Sequence, residues 1–125
     1  MRKIVNTPNA PAAIGPYSQG IEMHGFIFTS GQLPIDTKTG VIPEDIAAQT
    51  ETSLKNVSAI LEASGTSLEK AVKMTVFVRD MNDFGKINAV YESFFKGDAP
   101  ARSLVQVARL PKDAGIEIEC IAALE

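Results

Sequence analysis

The stretch Ile116-Glu117-Ile118-Glu119-Cys120-Ile121-Ala122-Ala123-Leu124 decides the fold. Every second residue from Ile116 onward is apolar, which is typical of a β-strand with one face on a hydrophobic core. The other face carries two glutamates and then Ile121 and Ala123, so it is only half polar. The segment from Ala71 to Arg79 has the same period, with Val72, Met74, Val76 and Val78 on one side. It is predicted to be a second long strand of the same sheet.

Shorter strands and two helices are predicted around these two strands. Strands are expected over Tyr17–Met23, Phe26–Ser30 and Arg102–Ala108, and a further short one is considered at Lys3–Asn6. One helix is expected to begin near Pro43-Glu44-Asp45 and to end just before Gly65, and a second to cover Phe84–Phe95, because apolar residues recur there at helical spacing. Two helices cover only one face of such a sheet. The apolar residues of the other face therefore predict burial against identical subunits in a homo-oligomer.

The composition of the chain argues against several classes of function. The chain has 125 residues, 12 basic and 15 acidic side chains, one Cys and one His. This length predicts one domain over residues 1–125. The net charge of −3 argues against a dedicated nucleic-acid binder, and the single Cys and His argue against a zinc cluster or multi-histidine metal site. No signal peptide, membrane span or cofactor-binding motif is evident, so a cytoplasmic protein without metal, cofactor, nucleic-acid or membrane partner is expected.

Two kinds of charged residue are candidates for chemistry. Arg102 lies beside Pro100 at the start of a predicted strand, where its planar guanidinium can bind a carboxylate through two hydrogen bonds. The alternative is a surface arginine in a weak exposed ion pair. Glu117 and Glu119 share a face with apolar residues, so partial burial is expected to raise a pKa there and to favour proton transfer near neutral pH. Either glutamate can instead point to solvent or pair with a lysine, and the pattern does not separate the two.

Polar residues near two turns are weaker candidates. Tyr17 follows Gly15-Pro16 and can project its hydroxyl from a fixed backbone, while Gly31, after Ser30, permits close approach of a ligand. The alternative is a turn with a half-buried tyrosine. Asn88 lies on the apolar stripe of the second helix, where it must be hydrogen-bonded, either as part of the structure or as part of a site. Cys120 is interpreted as a small core residue.

Taken together, several segments resemble the RidA/YjgF family of enamine/imine deaminases. The resemblance covers nearly the whole chain, and it rests on the segments Asn9–Gly20, Thr29-Ser30-Gly31-Gln32, Val76-Phe77-Val78, Pro100-Ala101-Arg102-Ser103, Val107–Asp113 and Ile116–Glu119. It implies a single α+β domain of the chorismate-mutase-like (YjgF-like) fold, with a mixed sheet and two helices on one face. It also implies a homotrimer with a site in each cleft between neighbouring subunits.

The resemblance further implies a reaction and its residues. Short 2-aminoacrylate-type enamines, or their 2-imino acid tautomers, released by pyridoxal-phosphate dehydratases, would be hydrolysed to 2-oxo acids and ammonia without a cofactor. Arg102 is implied to bind the substrate carboxylate and Glu117 to position or activate water, with Tyr17 hydrogen-bonding the intermediate. Ser30, Gly31 and Asn88 match positions that line the pocket in the family. Arg102 and Glu117 are expected to face each other in a groove shared by adjoining protomers.

One position departs from the family pattern. Many members have Cys directly after Arg-Ser, whereas this chain has Leu104, so only a backbone contact with the substrate carries over to this position. Cys120 does not replace the missing thiol, because it falls on the opposite face of its strand from Glu117. Two other functions stay open at this point. They are a non-catalytic protein that binds 2-oxo acids as a regulator, and an RNA-directed ribonuclease or translation inhibitor.

Overall fold

The computed structural model describes residues 1–125 and contains one six-stranded sheet and two α-helices. The strands lie in the order β1-β2-β3-β6-β4-β5. All neighbouring strands are antiparallel except β4 and β5, which are parallel, so the predicted mixed sheet is confirmed. The bounds of the elements are β1 Lys3–Val5, β2 Gly20–Met23, β3 Phe26–Thr29, α1 Ile46–Ala63, β4 Ala71–Val78, α2 Phe84–Ser93, β5 Ala101–Gln106 and β6 Ile116–Ala123.

The core lies between the two helices and one face of the sheet. Strand β6 is central, and its alternate residues Ile116, Ile118, Cys120 and Ala122 are buried, as the alternation predicted, in a core that includes side chains of both helices. Burial of each large aliphatic side chain in this core contributes about 1.5–3 kcal/mol to the stability of the fold. Burial raises the pKa of the Cys120 thiol to about 12, so this residue is protonated at neutral pH and serves as packing.

The first helix begins and ends at the expected signals. The carboxylate of Asp45 accepts a hydrogen bond from the N–H of Ala48 at 3.0 Å and so caps the N-terminus of α1. Gly65 follows the C-terminus with a φ of +80°, a conformation that glycine adopts without strain. Between these ends α1 buries Leu54, Val57 and Ile60 in the core.

Three boundaries differ from the predictions by two residues or more, and one side-chain direction differs as well. Strand β2 begins at Gly20 rather than Tyr17, because the N–H of Tyr17 turns back to the carbonyl of Gly15 at 2.9 Å. Strand β5 ends at Gln106 and helix α2 at Ser93, each two residues before the predicted end.

Val72 was predicted to face the core. Ala71 pairs with Ala122 whereas Lys73 pairs with Ile121, and this bulge leaves Val72 46% exposed.

The face of the sheet opposite the helices is uncovered and partly apolar. Phe26 and Phe28 of β3 and Val105 of β5 are exposed there, and Ile121 of β6 pairs with Phe28 on the same side. The predicted apolar character of this second face is therefore confirmed, and we call it the open face. Neither helix is both long and apolar enough to cross a bilayer.

Candidate active site

Four of the predicted site residues line one cleft. Tyr17, Ser30, Gly31 and Glu117 surround a space of about 600 Å³ beside the ends of β3 and β6, which we call the glutamate cleft. The sequence pattern grouped Tyr17 with Ser30 and Gly31, and the structure adds Glu117 to them. Gln19 and Lys112 also line this cleft and were not singled out from the sequence.

Gly31 lies against the carboxyl group of Glu117. A Cβ atom added to Gly31 would lie 2.8 Å from both Cδ and Oε2 of Glu117, well inside ordinary contact distance. The neighbouring backbone holds this approach in place, because Gln32 donates its N–H to the carbonyl of Ile118 at 2.7 Å and accepts the N–H of Ile118 at 3.2 Å. Glycine is therefore needed at position 31 for space.

Glu117 has the electrostatic character that the alternation predicted. Burial raises the pKa of its carboxyl group, and the negative charge of Glu119 raises it further. Neither of the chain's two ion pairs, Lys55–Glu51 and Arg109–Asp113, involves Glu117 or Glu119. Only Glu117 of the two glutamates lines the cleft. A half-buried carboxyl group with a raised pKa and no cationic partner is suited to taking up and returning a proton.

Tyr17 and Ser30 offer the cleft different hydrogen-bonding groups. Tyr17 is 53% exposed, and its hydroxyl oxygen accepts from the N–H of Ile14 at 3.4 Å, which leaves the hydroxyl hydrogen free to donate. The Ser30 hydroxyl donates to the carbonyl of Ser18 at 2.5 Å, which leaves its oxygen as an acceptor. With Glu117, these side chains therefore give the cleft one phenolic donor, one hydroxyl acceptor and one carboxyl group.

Gln19 fixes one wall of the glutamate cleft. Its buried side chain accepts from the N–H of Thr7 at 2.6 Å and donates to the carbonyls of Thr7 at 3.0 Å and Pro11 at 2.8 Å. Pro11 is part of the cleft lining. Sequence periodicity carries no signal for this role, because the partners of Gln19 are backbone groups of a loop.

Arg102 lies in a second cleft of about 430 Å³, the arginine cleft, which Asn88, Tyr91 and Pro100 also line. Its Nη1 donates to Oδ1 of Asn88 at 3.0 Å, so the hydrogen bond predicted for Asn88 is present. Its Cζ lies 4.7 Å from the centre of the Tyr91 ring. Arg102 is half-buried and takes part in neither ion pair of the chain, which excludes the weak exposed pair considered from the sequence.

The phenol of Tyr91 remains neutral beside this arginine. Burial raises the pKa of the Tyr91 hydroxyl, while the positive charge of Arg102 opposes part of that rise. The hydroxyl oxygen is buried and has no hydrogen-bond partner in the chain. The contact of Tyr91 with Arg102 is therefore made by the ring face, where a cation is attracted by the π electrons.

A single protomer does not bring Arg102 and Glu117 together. Arg102 pairs with the buried Met74 across β4 and β5, so its side chain lies on the face that the helices cover. Glu117 pairs with Phe77 across β4 and β6, and it alternates with buried residues of β6, so its side chain is on the open face. The glutamate cleft and the arginine cleft are thus on opposite sides of the sheet.

Leu104 lines neither cleft. Its side chain packs on the hydrophobic core beside Val76, with which it pairs. The N–H of Val107 donates to the carbonyl of Val78, and strand N–H groups alternate in direction, so the N–H of Leu104 points away from β4. Strand β5 is the edge of the sheet, which leaves that N–H open to a ligand or a partner.

Comparisons of the sequence with known proteins show to which family the chain is similar. The sequence profile of the Endoribonuclease L-PSP family matches residues 7–124. The chain is 57% identical over 125 residues to the 2-iminobutanoate/2-iminopropanoate deaminase of Escherichia coli K12, and the match covers 98% of both proteins. It is 56% identical to the protein of the same name from Salmonella typhimurium, again over 98% of both.

Solved structures have the same fold. The crystal structure of the YjgF gene product of E. coli superposes with a TM-score of 0.94 at 56% identity, covering 97% of this chain and 98% of that one. E. coli TdcF with bound serine superposes with a TM-score of 0.94 at 52% identity, with the same coverage. The resemblance inferred from the motifs is thereby confirmed, and the chain belongs to the Endoribonuclease L-PSP family, in which it stands with the RidA/YjgF proteins.

Proposed function

We propose that the protein is an imine/enamine deaminase that hydrolyses short 2-imino acids, and their 2-aminoacrylate-type enamine tautomers, to 2-oxo acids and ammonia. The observation that carries the proposal is the complementarity of the two clefts. One holds a fixed guanidinium without an acidic partner, and the other holds a carboxyl group without a basic partner. A small molecule with a carboxylate at one end and a hydrolysable C=N bond at the other fits between such groups. The names of the deaminases at 56–57% identity support this substrate class.

The complete site forms between subunits of a homotrimer in this proposal. Arg102 of one protomer meets Glu117 of its neighbour, because the two residues lie on opposite faces of each sheet. Such a contact joins two different surfaces, and contacts of that kind close into rings, of which the three-membered ring is a small example. The exposed Phe28 and Val105 would be buried in the same interface, as in the chorismate-mutase-like assembly implied by the resemblance.

The reaction needs only water and proton transfers. Arg102 binds the substrate carboxylate and holds the imine carbon at a fixed distance from a water molecule beside Glu117, and orientation of this kind lowers the barrier by several kcal/mol. Acting on the protonated imine, Glu117 takes a proton from the water as the water oxygen bonds to C2 and the C=N electron pair moves onto nitrogen, which gives a neutral carbinolamine. Glu117 then gives that proton to the nitrogen, and ammonia leaves with the electrons of the C–N bond. The hydroxyl proton passes to Glu117 and on to solvent as the C=O bond of the 2-oxo acid forms. The Tyr17 hydroxyl and the N–H of Leu104 donate hydrogen bonds to the polar intermediate.

The source of the substrate follows from its chemistry. Enamines of this type arise when a hydroxyl group is eliminated from serine or threonine, which is the reaction of pyridoxal-phosphate dehydratases. They hydrolyse in water without a catalyst, so the protein would serve to shorten their lifetime. We therefore propose a functional link to such a dehydratase, with no requirement for direct contact.

The test couples a serine or threonine dehydratase to the purified protein and follows the loss of the imine. Wild-type protein should accelerate the loss, and Arg102→Ala should abolish the acceleration with the assembly intact. Arg2→Ala is the matched control, because Arg2 is exposed and distant in sequence from both clefts. Glu117→Gln should lower turnover more than binding. Binding of a 2-oxo acid without any turnover would instead indicate a regulator, and tight salt-sensitive RNA binding would indicate an RNA-directed role.

A further inference from the structure

One face of helix α2 surrounds the guanidinium of Arg102. Phe84, Asn88 and Tyr91 are spaced i, i+4 and i+7, which places them in one row along the helix. The Cζ of Arg102 lies 4.7 Å from the Tyr91 ring centre and 5.9 Å from the Phe84 ring centre. Both distances fall within the range of cation–π attraction. Asn88 adds a hydrogen bond to Arg102, and we call Phe84, Asn88 and Tyr91 together the α2 cradle.

Every group in the α2 cradle is electrically neutral. An aspartate or glutamate in the same place would hold Arg102 more strongly but would compete with a substrate carboxylate for the same N–H groups. Asn88 occupies one donor at Nη1. The remaining donors of the guanidinium stay free for a bidentate contact, because no acceptor side chain other than that of Asn88 is hydrogen-bonded to Arg102 and the aromatic rings attract the cation by its charge.

The Tyr91 ring is itself held by packing. Tyr91 is buried, and its ring lies 4.7 Å from that of Phe95 at a tilt of 38°. Its hydroxyl has no hydrogen-bond partner. The ring is therefore the part of Tyr91 that contacts Arg102, and phenylalanine would supply the same surface.

We propose that Phe84 and Tyr91 are positioning residues that hold Arg102 in the orientation that receives the substrate carboxylate, by neutral contacts that leave its charge available. This inference rests on the proposed function, because it assumes that Arg102 binds the carboxylate. It adds two residues to the site that the helical stripe alone would assign to packing.

The experiment measures binding of 2-oxopropanoate and of its uncharged amide by calorimetry, with kcat and KM from the imine assay. Tyr91→Phe should bind 2-oxopropanoate within about twofold of wild type, whereas Tyr91→Leu and Phe84→Leu should bind it about five- to thirtyfold more weakly. Binding of the amide should not change. KM should rise with kcat retained, because the lost contact acts through Arg102 on binding. Phe84 is 40% exposed, so Phe84→Leu tests the inference even if Tyr91→Leu fails to fold.

The Arg102→Ala background separates the inference from the proposed function. Phe84→Leu should have no further effect on 2-oxopropanoate binding when Arg102 is absent. An equal loss in both backgrounds, or weakened binding of the amide, would overturn the cradle while the proposed function stands. Unchanged binding in Phe84→Leu and Tyr91→Leu, with strong loss in Arg102→Ala, would overturn it as well. Wild-type binding by Arg102→Ala would overturn the proposed function itself.

Discussion

Replacing Gly31 by alanine tests the role of Glu117 without touching the glutamate. The new Cβ would lie 2.8 Å from Cδ and Oε2 of Glu117 and 3.1 Å from its Cγ. Carbon atoms in ordinary contact are about 3.5–4.0 Å apart, so the carboxyl group must retreat by roughly 0.7–1.2 Å. The atoms that must move belong to the end of a flexible side chain. Gly31 is also absent from the residues with positive φ, so alanine adds no backbone strain.

The predicted effect is therefore large on activity and small on stability. A displacement of about 1 Å at a reacting group can lower the rate by about a hundredfold. We expect Gly31→Ala to lower kcat for imine hydrolysis by about that factor in the dehydratase-coupled assay, while the midpoint of thermal unfolding changes little. Gly85→Ala is the matched control, because its added Cβ meets nothing within 4 Å beyond the adjoining residues and the backbone of its own helix, and its φ is not positive. It should keep full activity and gain up to about 1 kcal/mol of stability from helix propensity.

Full activity in Gly31→Ala would refute the reasoning if a crystal structure shows the Glu117 carboxyl group displaced. Such a result would mean that the position of this carboxyl group does not limit the reaction.

The other predictions concern charge and loop order. Glu119→Gln should lower the pKa of Glu117, because the substitution removes a neighbouring negative charge that disfavours ionisation. The acid limb of the pH profile of kcat/KM should therefore move to lower pH. An unmoved limb would show that a group other than Glu117 titrates there. Glu117→Gln should stabilise the fold at neutral pH. The pKa of Glu117 is higher in the folded protein than in the unfolded chain, so its ionisation above about pH 4 favours the unfolded chain. Urea unfolding at fixed protomer concentration should show this gain shrinking as pH falls toward 4, and a gain independent of pH would contradict it. Gln19→Leu should lower the free energy of unfolding by about 2–4 kcal/mol, because it leaves buried backbone groups of Thr7 and the part-buried carbonyl of Pro11 unpaired. A loss below about 1 kcal/mol would show that water replaces the amide.

The sheet could be predicted largely because its signals are local. The strict alternation of β6 and the apolar stripe of α1 each require a specific buried face, and the structure has both. The exposure of Val72 could not be predicted, because a bulge depends on how β4 meets β6, about fifty residues further along the chain. The turn at Tyr17 was missed for a similar reason. The β-like composition of Tyr17–Gln19 is overridden by a backbone hydrogen bond to Gly15 and by the side-chain contacts of Gln19.

The candidate site shows the same division between local and distant information. The raised pKa of Glu117 was predictable from the apolar residues on its own strand. The side of the sheet on which Arg102 lies depends on the parallel register of β5 with β4, which no pattern within β5 specifies. The contacts of Arg102 with Phe84, Asn88 and Tyr91 depend on that register too, although the helical spacing of these three residues was visible in the sequence.

The most direct measurement of the central claim is subunit complementation between two inactive variants. Arg102→Ala and Glu117→Gln protomers would be unfolded together in equal amounts, refolded and assayed for imine hydrolysis. If each site takes its arginine from one subunit and its glutamate from the next, each mixed trimer has one intact site of its three. Random assembly makes about three quarters of the trimers mixed, so about a quarter of wild-type activity should return. A mixture that exchanges subunits and yet stays as inactive as either variant alone would contradict a site shared between protomers.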